Sequence, residues 1–360
     1  PLLGKGRAYY QGVEMDGGEA MAKAGIQTLD TLVCKEGLGL TNGTCAMTSV
    51  GTLALYDTIC ASQLADLIAS MSMEALTGLL NAFDERVHAV RGHKGQLTVA
   101  KNFRLLTEGS EILSNCQQDR VQDAYSLRCI PQVHGAIRDA IDYVMEKVSI
   151  ELNAVTDNPL VFLDDENVIS GGNFHGEPMA LAFDFLGIAC SEIADISERR
   201  TERMVNAALS NGLTPFLTTE GGVNSGYMIV QYSAASMVSE NKVLAHPASV
   251  DSIPSSANQE DMVSMGTTAA RKAGWIVQNT LSVLADELLT ACQGIDIRRR
   301  LNTHGQGISP VHQKVYDCVR KVADFYEVDR ELWPDIKAVE KLVRSGELLE
   351  IVRSTVADFE

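Results

Sequence analysis

Between Gln132 and Ala154 the chain reads QVHGAIRDAIDYVMEKVSIELNA, and Val133, Ile137, Ile141, Val144, Val148 and Leu152 recur in it at steps of three and four. That spacing follows the 3.6-residue turn of an α-helix, so the six side chains form one apolar stripe for a partner helix to cover. The Asp157-Asn158-Pro159 segment beyond it marks a loop. A second pattern of this kind begins near Thr267 and runs to about Cys292, with Ala273, Val277, Leu281, Leu284 and Leu288 along one side. Further helices are expected at about 18–33, 47–80, 178–206, 227–242, 310–327 and 337–356. Strands are scarce, with Leu160 to Leu163 and Thr214 to Leu217 as weak candidates. The predicted class is therefore mainly α, a long-helix bundle whose apolar stripes allow it to continue across subunits.

Composition agrees. Hydrophobic residues make up 45% of the 360 and aromatics only 6%, so Ala, Leu, Val, Ile and Met supply the core, which favours helix packing over a β-sandwich. With no low-complexity linker, hinge or fixed-period repeat, residues 1–360 read as a single helical domain. Lys and Arg total 30 against 47 Asp and Glu, a formal net charge of −17, which opposes binding to nucleic acid or to an anionic membrane surface. The basic runs Arg199-Arg200 and Arg298-Arg299-Arg300 follow Glu198 and Asp296 closely and read as solvated or ion-paired helix surface. Eight scattered cysteines form no C-x-x-C pair and read as reduced, buried, inert thiols of a cytoplasmic protein. No secretory leader is evident, and charge interrupts every long apolar run. The opening Pro1-Leu2-Leu3-Gly4 lacks an initiator Met and reads as a start partway through a larger protein.

Polar residues that a core does not need gather in four loops: Thr41 to Thr44, Gln122 to Arg128, Gly171 to Glu177, and Ser256 to Asp261. Each has a plain reading as a turn, a surface pair or a helix cap. His175-Gly176-Glu177 matches half of a zinc-deaminase signature, but the P-C-x-x-C half is absent. Gly37, Gly39 and Gly43 have the wrong spacing for a dinucleotide loop. Neither a metal nor a nucleotide is expected. Taken singly, these loops say only that the protein is helical and could be an enzyme.

Taken together and in order, they resemble the histidine ammonia-lyase branch of the aromatic amino acid lyases. The likeness runs from Lys35-Glu36-Gly37-Leu38 and Asn42-Gly43-Thr44 through Gln122 to Arg128, Asp157-Asn158-Pro159-Leu160, Gly171 to Pro178 and Asn224-Ser225-Gly226. It ends in Ser239-Glu240-Asn241-Lys242 and His246 to Pro254. The resemblance implies a fumarase/aromatic-lyase-like fold and sites shared between the subunits of a homotetramer. It also implies a methylidene-imidazolone prosthetic group made from an internal Ala-Ser-Gly. The β-hydrogen of an amino acid is not acidic and ammonia leaves poorly, so an electrophile combined with a base supplies what side chains alone cannot.

Carried over position by position, the family's catalytic residues are Tyr125, Asn42, Gln122 and Phe174. Arg128 is the expected clamp for the substrate carboxylate, since a planar guanidinium makes two parallel charge-assisted bonds. Asn158 is expected to position that carboxylate or Tyr125. Glu260 would meet a substrate imidazole by accepting from its ring N–H, with Gln259 beside it.

The chain departs from the family's pattern in three ways. No Ala-Ser-Gly occurs in it, so the electrophile and the base tyrosine are expected from an amino-terminal segment of the same enzyme. Ala124 stands where relatives carry Pro, and Met262 where histidine-specific relatives carry His. The leading expectation is the elimination of ammonia from L-histidine to give urocanate. The alternatives are the same chemistry on another aromatic or modified imidazole amino acid, and a non-catalytic helical subunit of such an enzyme.

Overall fold

The apolar stripe from Ile137 to Val148 lies buried on a helix over Ile130–Glu151, and Leu152, just past its end, is exposed. In the computed structural model, which describes residues 1–360, this helix belongs to the larger of two units, Ala46–Ala154 with Gly176–Glu360. The smaller unit is Pro1–Cys45 with Val155–His175.

The smaller unit holds strands β1 (Arg7–Tyr10) and β2 (Val13–Asp16), helices α1 (Gly17–Lys23) and α2 (Glu36–Gly39), and strands β3 (Leu160–Phe162) and β4 (Asn167–Ile169). β1 pairs with β2 and β3 with β4, both antiparallel. The first hairpin turns at Gln11-Gly12, where both residues have positive φ, the backbone of a tight two-residue turn.

The larger unit is helical: α3 (Cys45–Ala75), α4 (Glu85–Ala89), α5 (Lys94–Leu106), α6 (Glu111–Asn115), α7 (Tyr125–Arg128), α8 (Ile130–Glu151), α9 (Glu177–Val205), α10 (Met228–Leu244), α11 (Gly266–Leu301), α12 (Pro310–Arg320), α13 (Trp333–Arg344) and α14 (Glu347–Thr355). α9 packs along α11, α8 packs on α9, α5 on α8, and α10 against both α9 and α11. All five residues of the predicted α11 stripe are buried. Where α3 crosses α9, Gly51 leaves room for the Phe183 ring; a Cβ there would lie 2.0 Å from Phe183 Cζ. No helix is long and apolar enough to cross a membrane.

The interior is not purely apolar. Arg200 on α9 donates from Nε and Nη2 to the two oxygens of Glu287 on α11, at 2.5 and 2.8 Å. The hydroxyls of Ser72 and Ser197 donate to the same carboxylate at 2.7 and 2.6 Å. On α3, Asp66 accepts from His134 Nδ1 at 2.8 Å, Arg138 Nη2 at 2.8 Å and Asn102 Nδ2 at 3.0 Å. Burial pushes the Asp66 carboxyl up, but the Arg138 charge and the His134 bond outweigh it and leave it below the usual range. Glu74 likewise ties α3 to α12, accepting from Ser309 N at 2.8 Å and contacting His312 Nδ1 at 2.9 Å. A buried carboxylate persists only with such partners.

Several expectations need correction. The helix foreseen over 18–33 ends at Lys23, followed by Gly25 at φ 69°. Thr214 to Leu217 is not a strand: Pro215 opens a short 3-10 turn, and Phe216 and Leu217 adopt left-handed φ. The helix foreseen over 310–327 stops at Arg320, and that over 337–356 is two helices parted at Gly346, whose φ is 82°. Arg200 and Arg298 are not helix surface. Arg200 is ion-paired in the core, and Arg298 donates to the carbonyls of Ala75, Asn211 and Ser210 at 3.1–3.2 Å. None of the eight cysteines is in a disulfide, yet Cys34 and Cys45 are exposed. Those that are fully enclosed are pushed up by burial, Cys190 to about 11 and Cys292 to about 12.

Candidate active site

In the larger unit the expected residues sit on two short pieces of chain. The first is the single turn α7, which carries Tyr125 and Arg128, with Gln122 exposed just before it. An intervening aspartate fixes this approach. Asp123 accepts from Leu79 N at 2.6 Å and from Arg120 Nε at 2.7 Å, while Arg120 Nη2 donates to Thr77 O at 2.5 Å. The loop is thereby tied to the backbone just beyond the carboxy end of α3. Ala124 is in extended conformation with φ −63°, a value proline also adopts, so the departure at this position does not alter the turn.

Arg128 lies over the Tyr125 ring, its guanidinium carbon 4.7 Å from the centroid. The stacking holds the guanidinium plane and leaves its edge to act as donor. Arg128 Nε is buried and has no hydrogen-bond partner within the chain. A buried donor left unmatched is costly, and a ligand carboxylate would match it. Tyr125 itself is 71% exposed.

The second piece is a small hairpin. Ser255 N donates to Glu260 O at 2.9 Å and Glu260 N to Ser255 O at 3.3 Å, with Ser256, Ala257 and Asn258 at its tip. Ser255 Oγ donates to Glu260 Oε2 at 2.5 Å. The hydroxyls of Ser255 and Ser256 hold the Glu260 carboxyl below its usual range, so it is an anion near neutrality. Gln259 and Met262 are both exposed beside it.

The smaller unit brings together Asn42 and Asn158 through Asp157. Asn42 Nδ2 donates to Asp157 Oδ1 at 3.2 Å, Asn158 N donates to the same oxygen at 2.7 Å, and Lys35 Nζ pairs with Oδ2. The Lys35 ammonium, with the Asn158 amide, keeps the Asp157 carboxyl below the usual range. Gly43, at φ 86°, permits this approach: a Cβ there would fall 1.8 Å from Thr156 O. Asn158 Oδ1 accepts from Gly171 N at 2.7 Å and Ser170 Oγ at 3.1 Å, so its side chain braces the loop that leads to Phe174. Phe174 is 36% exposed. Sequence reasoning passed over Asp157, Asp123 and Ser255. Asp157 and Asp123 each stand next to an expected site residue, Ser255 borders the polar loop that begins at Ser256, and each contains an oxygen able to accept or donate locally, which is the signal that could have found them.

A family model described as aromatic amino acid lyase matches residues 1–321. The chain belongs to the aromatic amino acid lyase family. It is a carbon–nitrogen lyase with that family's helical fold. It is 54% identical over 359 residues to "Histidine ammonia-lyase 1" of Fusobacterium nucleatum, covering 100% of this chain and 69% of that protein. Among solved structures, histidine ammonia-lyase from Trypanosoma cruzi is 44% identical at a TM-score of 0.88, covering 99% of this chain and 67% of that one. Tyrosine aminomutase from Streptomyces globisporus is 36% identical at a TM-score of 0.90, with 99% and 70% covered. One lyase fold thus serves more than one substrate and outcome, and side chains must set the difference.

The residues present suit the family's methylidene-imidazolone. The larger unit offers the Gln122 amide and the Tyr125 phenol, and the smaller unit the Asn42 amide, each a neutral hydrogen-bonding group of the kind an uncharged carbonyl-bearing electrophile takes. Arg128 Nε, in the same turn as Tyr125, is a buried donor left unmatched within the chain.

Proposed function

We propose that the enzyme containing this chain eliminates ammonia from L-histidine to give urocanate. The observation that carries the reading is Arg128, stacked on Tyr125 with its buried Nε unmatched, a guanidinium prepared for the substrate carboxylate. Glu260 supplies the choice of substrate. An exposed carboxylate held ionised accepts from an imidazole N–H and offers nothing comparable to a phenyl ring. Tyr125, Asn42 and Gln122 serve as hydrogen-bonding groups beside the prosthetic group, Phe174 excludes water, and Asn158 and Gln259 position their neighbours. When bound, methylidene-imidazolone supplies an electron sink that side chains lack. These 360 residues contain no Ala-Ser-Gly, and we assign that tripeptide to the part of the longer relatives that this chain does not match.

We further propose a homotetramer working in the cytoplasm, its two units here acting within one lyase domain. Large apolar side chains stand exposed on bundle helices: Leu53 and Tyr56 on α3, Leu181 and Phe185 on α9, Ile229 and Tyr232 on α10. Faces of this kind fit helices of further copies. Eight cysteines with no disulfide among them fit a reducing compartment.

The test is to follow urocanate absorbance when the full-length enzyme, with its prosthetic group formed, meets L-histidine. Product is expected; none would overturn the reading. In Glu260→Gln, histidine turnover should fall far more than any turnover of tyrosine. Product analysis on a small panel of aromatic and imidazole amino acids separates the alternative that Met262 in place of His points to a related substrate.

A further inference from the structure

Glu260 is exposed, so no packed side chains hold its carboxylate in one orientation. What surrounds it is its own hairpin. Outside the Ser255–Glu260 rung, Val263 N donates to Ser252 Oγ at 2.9 Å, which closes the hairpin a second time three residues further out. At the tip, Ser256, Ala257 and Asn258 have φ of 48°, 55° and 66°. Three successive non-glycine residues in the left-handed region form a turn that side-chain-bearing residues rarely adopt, and it persists only where its surroundings over-determine it. The two backbone bonds between Ser255 and Glu260 do so here, and they set the Ser255 hydroxyl directly against the Glu260 carboxylate.

We propose that Ser255 is a positioning residue for substrate recognition: its hydroxyl, donating to Glu260 Oε2, fixes the orientation in which Glu260 meets the ring of the substrate. The inference rests on the reading of Glu260 as the imidazole partner. A carboxylate has about four lone-pair positions, so the bond to Ser255 leaves ample capacity for a ring N–H. A hydroxyl donor also favours the anion, the form that can accept, in agreement with the direction in which Glu260 is displaced. Without Ser255, an exposed glutamate left with the Ser256 hydroxyl alone would sample more rotamers and bind the ring in only a fraction of them.

The experiment compares Ser255→Ala, Ser255→Thr, Glu260→Gln and the Ser255→Ala/Glu260→Gln pair in the full-length enzyme with L-histidine. Ser255→Ala is expected to raise KM about five- to tenfold, the range for losing one charge-assisted hydrogen bond at an exposed site, with a smaller change in kcat. Ser255→Thr, which keeps the hydroxyl, should stay within about twofold of the parent. On the Glu260→Gln background, Ser255→Ala should add almost nothing, because the two residues act as one unit. A structural role alone would lower activity equally in both backgrounds, and that result overturns the proposal. So does Ser255→Ala matching the parent while Glu260→Gln is impaired. If Glu260→Gln itself matches the parent, the reading of Glu260 falls, and the proposal with it.

Discussion

Arg200 and Arg128 are both arginines set among helices, and the protein uses them in opposite ways. In the seam between α9 and α11, Arg200 spends Nε and Nη2 on the two oxygens of Glu287, and two serine hydroxyls complete that carboxylate. At α7, Arg128 leans on the Tyr125 ring and keeps a buried Nε with no partner in the chain. Arg200 is ion-paired to an acid of its own core with only Nη1 left over, whereas Arg128 is stacked on a ring with Nε left over. We read the first arrangement as scaffold and the second as a binding site, and substitutions should separate them.

The largest effect is expected in the seam. Arg200→Ala strands Glu287 in the core and should cost about 3–5 kcal/mol, lowering the thermal midpoint sharply, while KM for L-histidine in the folded fraction stays within about twofold. A normal midpoint would break the comparison. Gly51→Val should cost about 1–3 kcal/mol by driving a side chain into the Phe183 ring, again without a matching change in KM.

The smallest effect sharpens the rule that seam charges need partners. Asp286 on α11 is buried with both oxygens unpartnered, and burial, aided by the Glu340 charge, pushes its carboxyl well above the usual range. Folding therefore takes up a proton at Asp286 once the unfolded carboxyl has ionised, above about pH 4. Its stabilising contribution is full below that pH and is lost as pH rises through the folded value. Asp286→Asn should accordingly gain on the parent in thermal midpoint as pH rises from about 4 to 8. An advantage that shrinks over that range would contradict the assignment.

The same contrast explains what was legible beforehand. The α8 and α11 stripes could be read because apolar burial repeats with the helical turn. Arg200 and Glu287 could not, since a charged letter looks like helix surface until its partner on another helix is known. The β1–β2 hairpin is not among the expected elements, although Tyr9-Tyr10-Gln11-Gly12-Val13 has a strand-like run and a glycine at the second turn position. A short 3-10 turn at Pro215 stands where a strand is expected, because an apolar run of four does not distinguish strand from turn. Site residues stood out through ordered motifs, and their anchors Asp123, Asp157 and Ser255 emerged only with the hydrogen bonds.

The most direct test of the contrast is Arg128→Met in the full-length enzyme, measured for thermal midpoint and for kcat/KM with L-histidine on one preparation. An unresolved guanidinium awaiting a carboxylate predicts a midpoint within about 2 °C of the parent and a loss of roughly a hundredfold in kcat/KM, the scale of a charge-assisted contact. A midpoint falling as far as that of Arg200→Ala, or turnover left intact, would show that Arg128 is scaffold after all.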